Sequence, residues 1–183
     1  MSFHLAGIIP VAGQPLDFNL PWHDCLMPIG KDYLAIERSV VECANAGCET
    51  IWIVCRKDVQ PLVRHRLGDW VQDPAWISRK YEYNRADHKK QIPIYYVPLH
   101  LNDIKRRECT SWSMLHGAYI ARKIAMSMSK WLAPDKYYVS FPHGVCFPTE
   151  VRKYRNDISS KNSFFLSHLG KTALDGELLG FTF

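Results

Sequence analysis

The chain has 183 residues, 47% of them apolar, and a formal net charge of +5 from 23 basic and 18 acidic side chains. That length buries a sizeable core and favours one domain over residues 1–183. No run of about 18 apolar residues is present to span a bilayer, and the opening MSFHLAGIIPVAG lacks the basic start and long apolar stretch of a secretory signal, so the expectation is a cytosolic protein with no membrane partner.

In chain order, Leu5 to Val11 is mostly apolar and ends in VAG, which predicts a buried strand running into a Gly turn. From Tyr33 to Asn45, Ile36, Val40, Cys43 and Ala44 fall at helical spacing and NAGC supplies a Gly stop. TIWIVC, Thr50 to Cys55, is β-branched and apolar without alternation, as expected of a central parallel strand covered on both faces. Asp58 then caps a short helix with Val59, Leu62, Val63 and Leu67 as its apolar stripe and Gly68 as its end.

After a Trp-rich, basic excursion, Ile92 to Pro98 reads as a third strand and Ser111 to Lys130 as a long helix. Trp112, Leu115, Tyr119 and Ile124 are its expected apolar stripe, with Gly117 and Ala118 allowing close approach to a sheet. Lys136 to Phe141 is a fourth strand, followed by a short helix from Thr149 to Asp157, a strand from Ser163 to His168 and a hairpin at ALDGELL turned by Asp175-Gly176. The alternation predicts an α/β fold with a mainly parallel sheet, helices on both faces and a ligand crevice at the carboxyl ends of the strands. The loops after Val11, Cys55, Pro98 and Phe141 would line it.

Cys25, Cys43, Cys48, Cys55, Cys109 and Cys146 are scattered without CxxC spacing, which favours reduced, mostly core thiols over a disulfide framework or a zinc site. Two segments, Arg79 to Lys90 with Tyr81 and Tyr83 interleaved and Lys105 to Arg107, concentrate positive charge. They form either a solvated excursion or a surface able to follow a nucleic-acid backbone and stack on bases.

Several pieces in this order resemble the sugar-nucleotide pyrophosphorylases of the nucleotidyltransferase superfamily. GIIPVAG is similar to the family's opening strand and loop, and LMPIGKDYLAIERSVVECANAGCETIWIV to its LLPI segment, helix and second strand. SWSMLHGAYIARKI resembles the helix after the family's Gly-Thr substrate loop, and APDKYYVSFPHG the strand that delivers a metal-binding Gly-Asp. The resemblance covers residues 7 to 145 and implies a Rossmann-like sheet of the nucleotidyltransferase, glycosyltransferase-A-like type, in a short form. It implies nucleotidyl transfer from a nucleoside triphosphate to a sugar phosphate with magnesium as cofactor. The implied substrate-binding residues are Ala12, Gly13, Gln14, Ser111, Trp112, Ser113 and His143.

The departures fall on the charges such chemistry needs. The family's Gly-x-Gly-Thr-Arg loop is GQPLD here, with Pro15 at the second glycine and Asp17 at the arginine; His23, Asp24 and Cys25 stand where a Pro-Lys pair is expected, and Pro142, His143 and Gly144 replace the magnesium-holding Gly-Asp. One lost electrostatic stabiliser costs on the order of 3 kcal/mol in the barrier, so three losses leave little of the reaction.

Other side chains carry two readings each. His143, alone or with His100 and His116, fits proton transfer or metal ligation and equally a loop histidine bonded to backbone. Ser111 and Ser113 fit phosphate binding at a helix N-terminus and equally plain capping. Asp17, Asp24 and Asp32 fit a replacement magnesium cluster and equally solvated turns, so no metal ligand is assigned. Trp52, Trp70, Trp76 and Trp131 read as core or interface anchors. Three functions follow: a divergent nucleotidyltransferase; a catalytically degenerate relative binding a nucleotide-like ligand or a protein partner, including a second copy, through Trp70, Trp76 and the apolar GFTF tail; and a nucleic-acid-binding protein.

Overall fold

The computed structural model describes residues 3–12, 21–74, 91–99, 102–103, 109–144 and 146–183. Its centre is the six-stranded sheet β5-β6-β4-β1-β7-β8, built from β1 (Leu5–Pro10), β4 (Thr50–Cys55), β5 (Trp70–Gln72), β6 (Gln91–Pro98), β7 (Lys136–Val139) and β8 (Phe181–Thr182). β6, β4, β1 and β7 run parallel, with β5 and β8 added antiparallel at the two edges. A separate hairpin pairs β2 (Pro28–Gly30) with β3 (Tyr33–Leu34) around Asp32, whose φ is 55°.

The strands are buried because helices cover both faces. On one face Leu5, Ile9, Ile51 and Ile53 meet α1 (Ala35–Ala46) through Ile36, Val40 and Cys43, and α2 (Gln60–Leu67) through Val63. The short helices α4 (Pro148–Val151) and α5 (Arg155–Ile158) close the same layer with Val151 and Ile158. On the other face Ala6, Ile8, Trp52 and Val54 pack against α3 (Thr110–Met128). Alternate residues of β1 thus serve opposite layers, which explains its unbroken apolar sequence. α1 ends as its sequence predicts, at Gly47 with φ 98°.

Helix α3 corrects the expected apolar stripe. Its buried residues include Ser113, Gly117, Ala121 and Ala125, one row at four-residue spacing, while Leu115, Tyr119 and Ile124 are 57%, 62% and 42% exposed. The sheet face already carries the Trp52 ring and the Ile8 and Val54 branches. Only small side chains let the helix backbone settle onto that surface, and the larger ones turn outward.

In α2, Val59 and Val63 are buried but Leu62 is 58% exposed. Asp58 does not cap that helix: Val59 is its N-cap, and Asp58 Oδ1 accepts only the Val59 N–H, at 3.1 Å. The segment from Ser163 to His168 is no regular strand. It follows β8 through a single bridge at Phe165–Phe181, because the Phe164 N–H goes to the Thr182 hydroxyl rather than to backbone. Asp175-Gly176 does turn the chain, but as the end of a 3-10 turn capped by Thr172 rather than as a hairpin. The expected helix at residues 149–157 is split into α4, a 3-10 turn and α5. The GFTF tail is not a free apolar end: Phe181–Thr182 pairs with β7 as the edge strand β8.

All six cysteines are free thiols, four of them buried, as the scattered spacing predicts. Among the described residues no helix is long and apolar enough to cross a membrane.

Candidate functional site

The strand order locates the crevice. The chain steps outward from β1 to β4 to β6, then returns through α3 to place β7 on the other side of β1. Neighbouring crossovers therefore diverge beyond the carboxyl ends of β1 and β7, where open α/β sheets bind ligands. Val11 N donates to Val54 O at 2.8 Å and Ser140 N to Ile8 O at 3.0 Å, extending the ladder to this end before the strands separate.

The loop beyond β7 is held by a buried polar network. Arg38 and Glu42, one helical turn apart on α1, are 6% and 1% exposed and pair at 2.7 Å. Glu42 also accepts the Tyr138 hydroxyl at 2.7 Å and the Ser140 hydroxyl at 2.8 Å. Arg38 donates to the carbonyls of Phe141 and Cys146 and to Cys146 Sγ at 3.2 Å. A charge pair this deep is tolerated because hydrogen bonds surround it. Its consequence is that residues 141–144 and Cys146 are held in place, aided by Gly144, where a Cβ would stand 2.2 Å from Leu178 O.

His143 rides on that loop, half-buried. Burial lowers its pKa, opposed by Asp24 and reinforced by His23 and Arg38, so these side chains share one electrostatic neighbourhood. His23 and Asp24 arrive from the 3-10 turn at residues 24–26 between β1 and the β2–β3 hairpin. Burial also lowers the pKa of His23, with Asp24 and then Arg56 and Asp58 as further influences. The pair therefore lies between groups that follow β4 and groups that follow β7, across the end of β1. Arg56 is paired with Asp58 at 3.4 Å, and Lys57 between them is exposed.

A cavity of about 720 Å³ opens beside this cluster, lined among others by Met27, Arg38, His143, Cys146, Phe147 and His168. A second of about 410 Å³ adjoins it and shares His143, Gly144, His168 and Leu179. Burial pushes the thiols of Cys25, Cys55 and Cys146 up to about 12, so none is a ready nucleophile or metal ligand at neutral pH.

Of the residues singled out from sequence, Ala12 is buried in the same apolar cluster as Phe141, with Trp112 packed against it. Ser111 is exposed, and Ser113 is buried with its hydroxyl donating to Cys109 O at 3.3 Å. Cys109, not a serine, caps α3, its Sγ accepting the Trp112 N–H at 3.4 Å. Gly13, Gln14, Asp17, His100, Trp76, the Trp131 side chain and both basic segments lie outside the described residues.

The histidine accompanying His143 is His23, whereas His116 stacks on Trp112 along α3. Asp32 sits in the exposed β2–β3 turn. Among the described residues no three His, Cys, Asp or Glu side chains could hold one metal ion. Trp52 is a core residue stacked on Tyr95, and Trp70 is 47% exposed.

Sequence reasoning noted His23 and Asp24 as replacements for a missing lysine, and Asp24 also as part of a carboxylate cluster with Asp17 and Asp32, but passed over Arg38 and Glu42. The four-residue spacing of that ion pair was the available signal, but it reads as an ordinary solvated pair until its burial is known. No protein-family model matches the sequence, and no curated protein matches it.

Proposed function

We propose that the chain is a divergent, Rossmann-like domain of the nucleotidyltransferase, glycosyltransferase-A-like type. In this reading it binds a nucleotide-like ligand, a sugar nucleotide or nucleoside phosphate, in the crevice beyond β1, β4 and β7 without transferring a nucleotidyl group. The observation that carries the reading is the order β6-β4-β1-β7 of parallel strands, whose return across β1 is the arrangement at which open α/β sheets bind ligands beyond their carboxyl ends. Lys57, exposed just beyond the end of β4, supplies the cation for a ligand phosphate in this reading.

Loss of transfer is favoured by the charges. Arg38 and Arg56 are each committed to a carboxylate, and Asp24 is buried where the family resemblance would place a phosphate-contacting lysine. Phosphoryl chemistry depends on neutralising the leaving pyrophosphate, and cations already paired do this poorly. Magnesium is then a companion of the ligand phosphates rather than a resident ion.

The test is a panel of nucleoside triphosphates and sugar nucleotides, each with magnesium, read both by thermal shift and by pyrophosphate release with sugar phosphates present. A raised melting temperature without pyrophosphate is expected. Magnesium-dependent pyrophosphate release would restore the transferase reading, and no shift with any member would remove the binding one.

Exposed apolar side chains support a protein partner as a second reading. Phe147, Leu169 and Leu174 are 78%, 89% and 80% exposed. Apolar groups this open commonly mark contacts when they gather into a patch.

A further inference from the structure

We propose that Asp24 and His23 form a subsite for a hydroxyl group of the ligand, a ring hydroxyl of its sugar or ribose; this rests on the binding reading above. The Asp24 carboxylate is 4% exposed, carries no ion pair and leaves Oδ2 without a hydrogen-bond partner among the described residues. A buried carboxylate oxygen left so is costly, and native structures rarely tolerate one without a reason.

Beside it, His23 Nδ1 accepts the Cys25 N–H at 3.3 Å. The neutral ring must then carry its hydrogen on Nε2, and that N–H too is buried without a partner among the described residues. Burial keeps the imidazole neutral by holding its pKa below the ordinary 6.5.

One unsatisfied donor and one unsatisfied acceptor thus stand on adjacent residues, across the end of β1. Their chemistry selects the ligand group. A phosphate oxygen would be repelled by Asp24, a cation would face the His23 N–H, and the described residues offer no third metal ligand. A hydroxyl serves both, accepting from His23 and donating to Asp24.

The experiment titrates the full chain calorimetrically with ADP-, GDP-, dTDP- and UDP-glucose. The tightest binder is then compared with analogues in which single hydroxyls of the glucose or of the ribose are replaced by fluorine, which keeps size but cannot donate. The expected result is one ring position at which fluorine weakens binding by about tenfold or more, the effect of losing a hydrogen bond to a charged group. Whether that position is on glucose or ribose identifies the source of the hydroxyl.

The ratio should fall towards one in Asp24→Ala, and His23→Phe, which removes the bond the hydroxyl accepts, should weaken the parent ligand severalfold; the wild-type ratios stand even if a variant fails to fold. Binding with every ratio near one, or a ratio unchanged in folded Asp24→Ala, overturns the subsite and leaves the binding reading intact. No binding by any member overturns both.

Discussion

Leu169 shows how a single residue can oppose its own backbone. It sits at φ 51° and is 89% exposed, and with Gly170 at φ 78° it forms the two-residue loop between the bridged His168 and Lys171. Left-handed backbone costs a β-carbon residue roughly 1 kcal/mol, and asparagine tolerates it better. Leu169→Asn is therefore expected to stabilise the fold by about 0.5–1 kcal/mol, read as a higher denaturant midpoint at unchanged slope; a lower midpoint would show that the leucine packs on something.

The buried histidines make a second residue-scale prediction. Burial holds His23 and His143 below their ordinary pKa of 6.5. Between the folded values and 6.5 the unfolded chain binds more protons, so this contribution is complete above about pH 6.5 and is lost as pH falls through the folded values. Denaturant titrations at pH 7.5 and 5.0 should show the loss, and His23→Gln with His143→Gln should reduce it. An identical loss in the double variant would place the sensitive groups elsewhere.

At the scale of elements, α3 is positioned by what its buried face lacks. A Cβ at Gly117 would stand 2.6 Å from Val54 Cγ2 and 3.2 Å from Ile8 Cγ2. Alanine would improve helix propensity by about 1 kcal/mol, yet overpacking a filled interface costs typically 1–3 kcal/mol. Gly117→Ala should thus destabilise on balance, and a measured gain in stability would mean the helix can lift without loss. The sequence marked Gly117 and Ala118 as a close approach but assigned the burial to Leu115, Tyr119 and Ile124, because hydrophobicity alone does not report how little room a sheet leaves. The central strands and α1 were legible because their apolar runs and Gly stop are local signals. β5 and β8 were not, since three- and two-residue edge strands owe their existence to a partner already in place. The candidate site was half legible: Ala12 and His143 follow from strand ends, whereas His23, Asp24 and Arg38 gain meaning only through burial.

For the molecule as a whole, the proposed ligand site and the buried polar network meet at one end of the sheet. The Arg38–Glu42 pair joins α1 to the loop after β7, and the same loop carries His143 into the crevice and bounds the larger cavity. At the opposite end of the sheet, His4 N donates to Asp135 Oδ2 at 2.8 Å, and the buried Lys136 ammonium donates to the carbonyls of Ile158 and Ser160, each at 2.9 Å. These contacts satisfy that end internally, and the proposed ligand recognition falls at the carboxyl ends. The most direct test is backbone amide chemical-shift mapping of the isotope-labelled chain during titration with the sugar nucleotides and nucleoside triphosphates. Saturable shifts concentrated at Val11, Ala12, Arg56 to Asp58 and Ser140 to Gly144 are the predicted result; shifts centred instead on His4, Asp135 and Lys136, or none with any ligand, would contradict it.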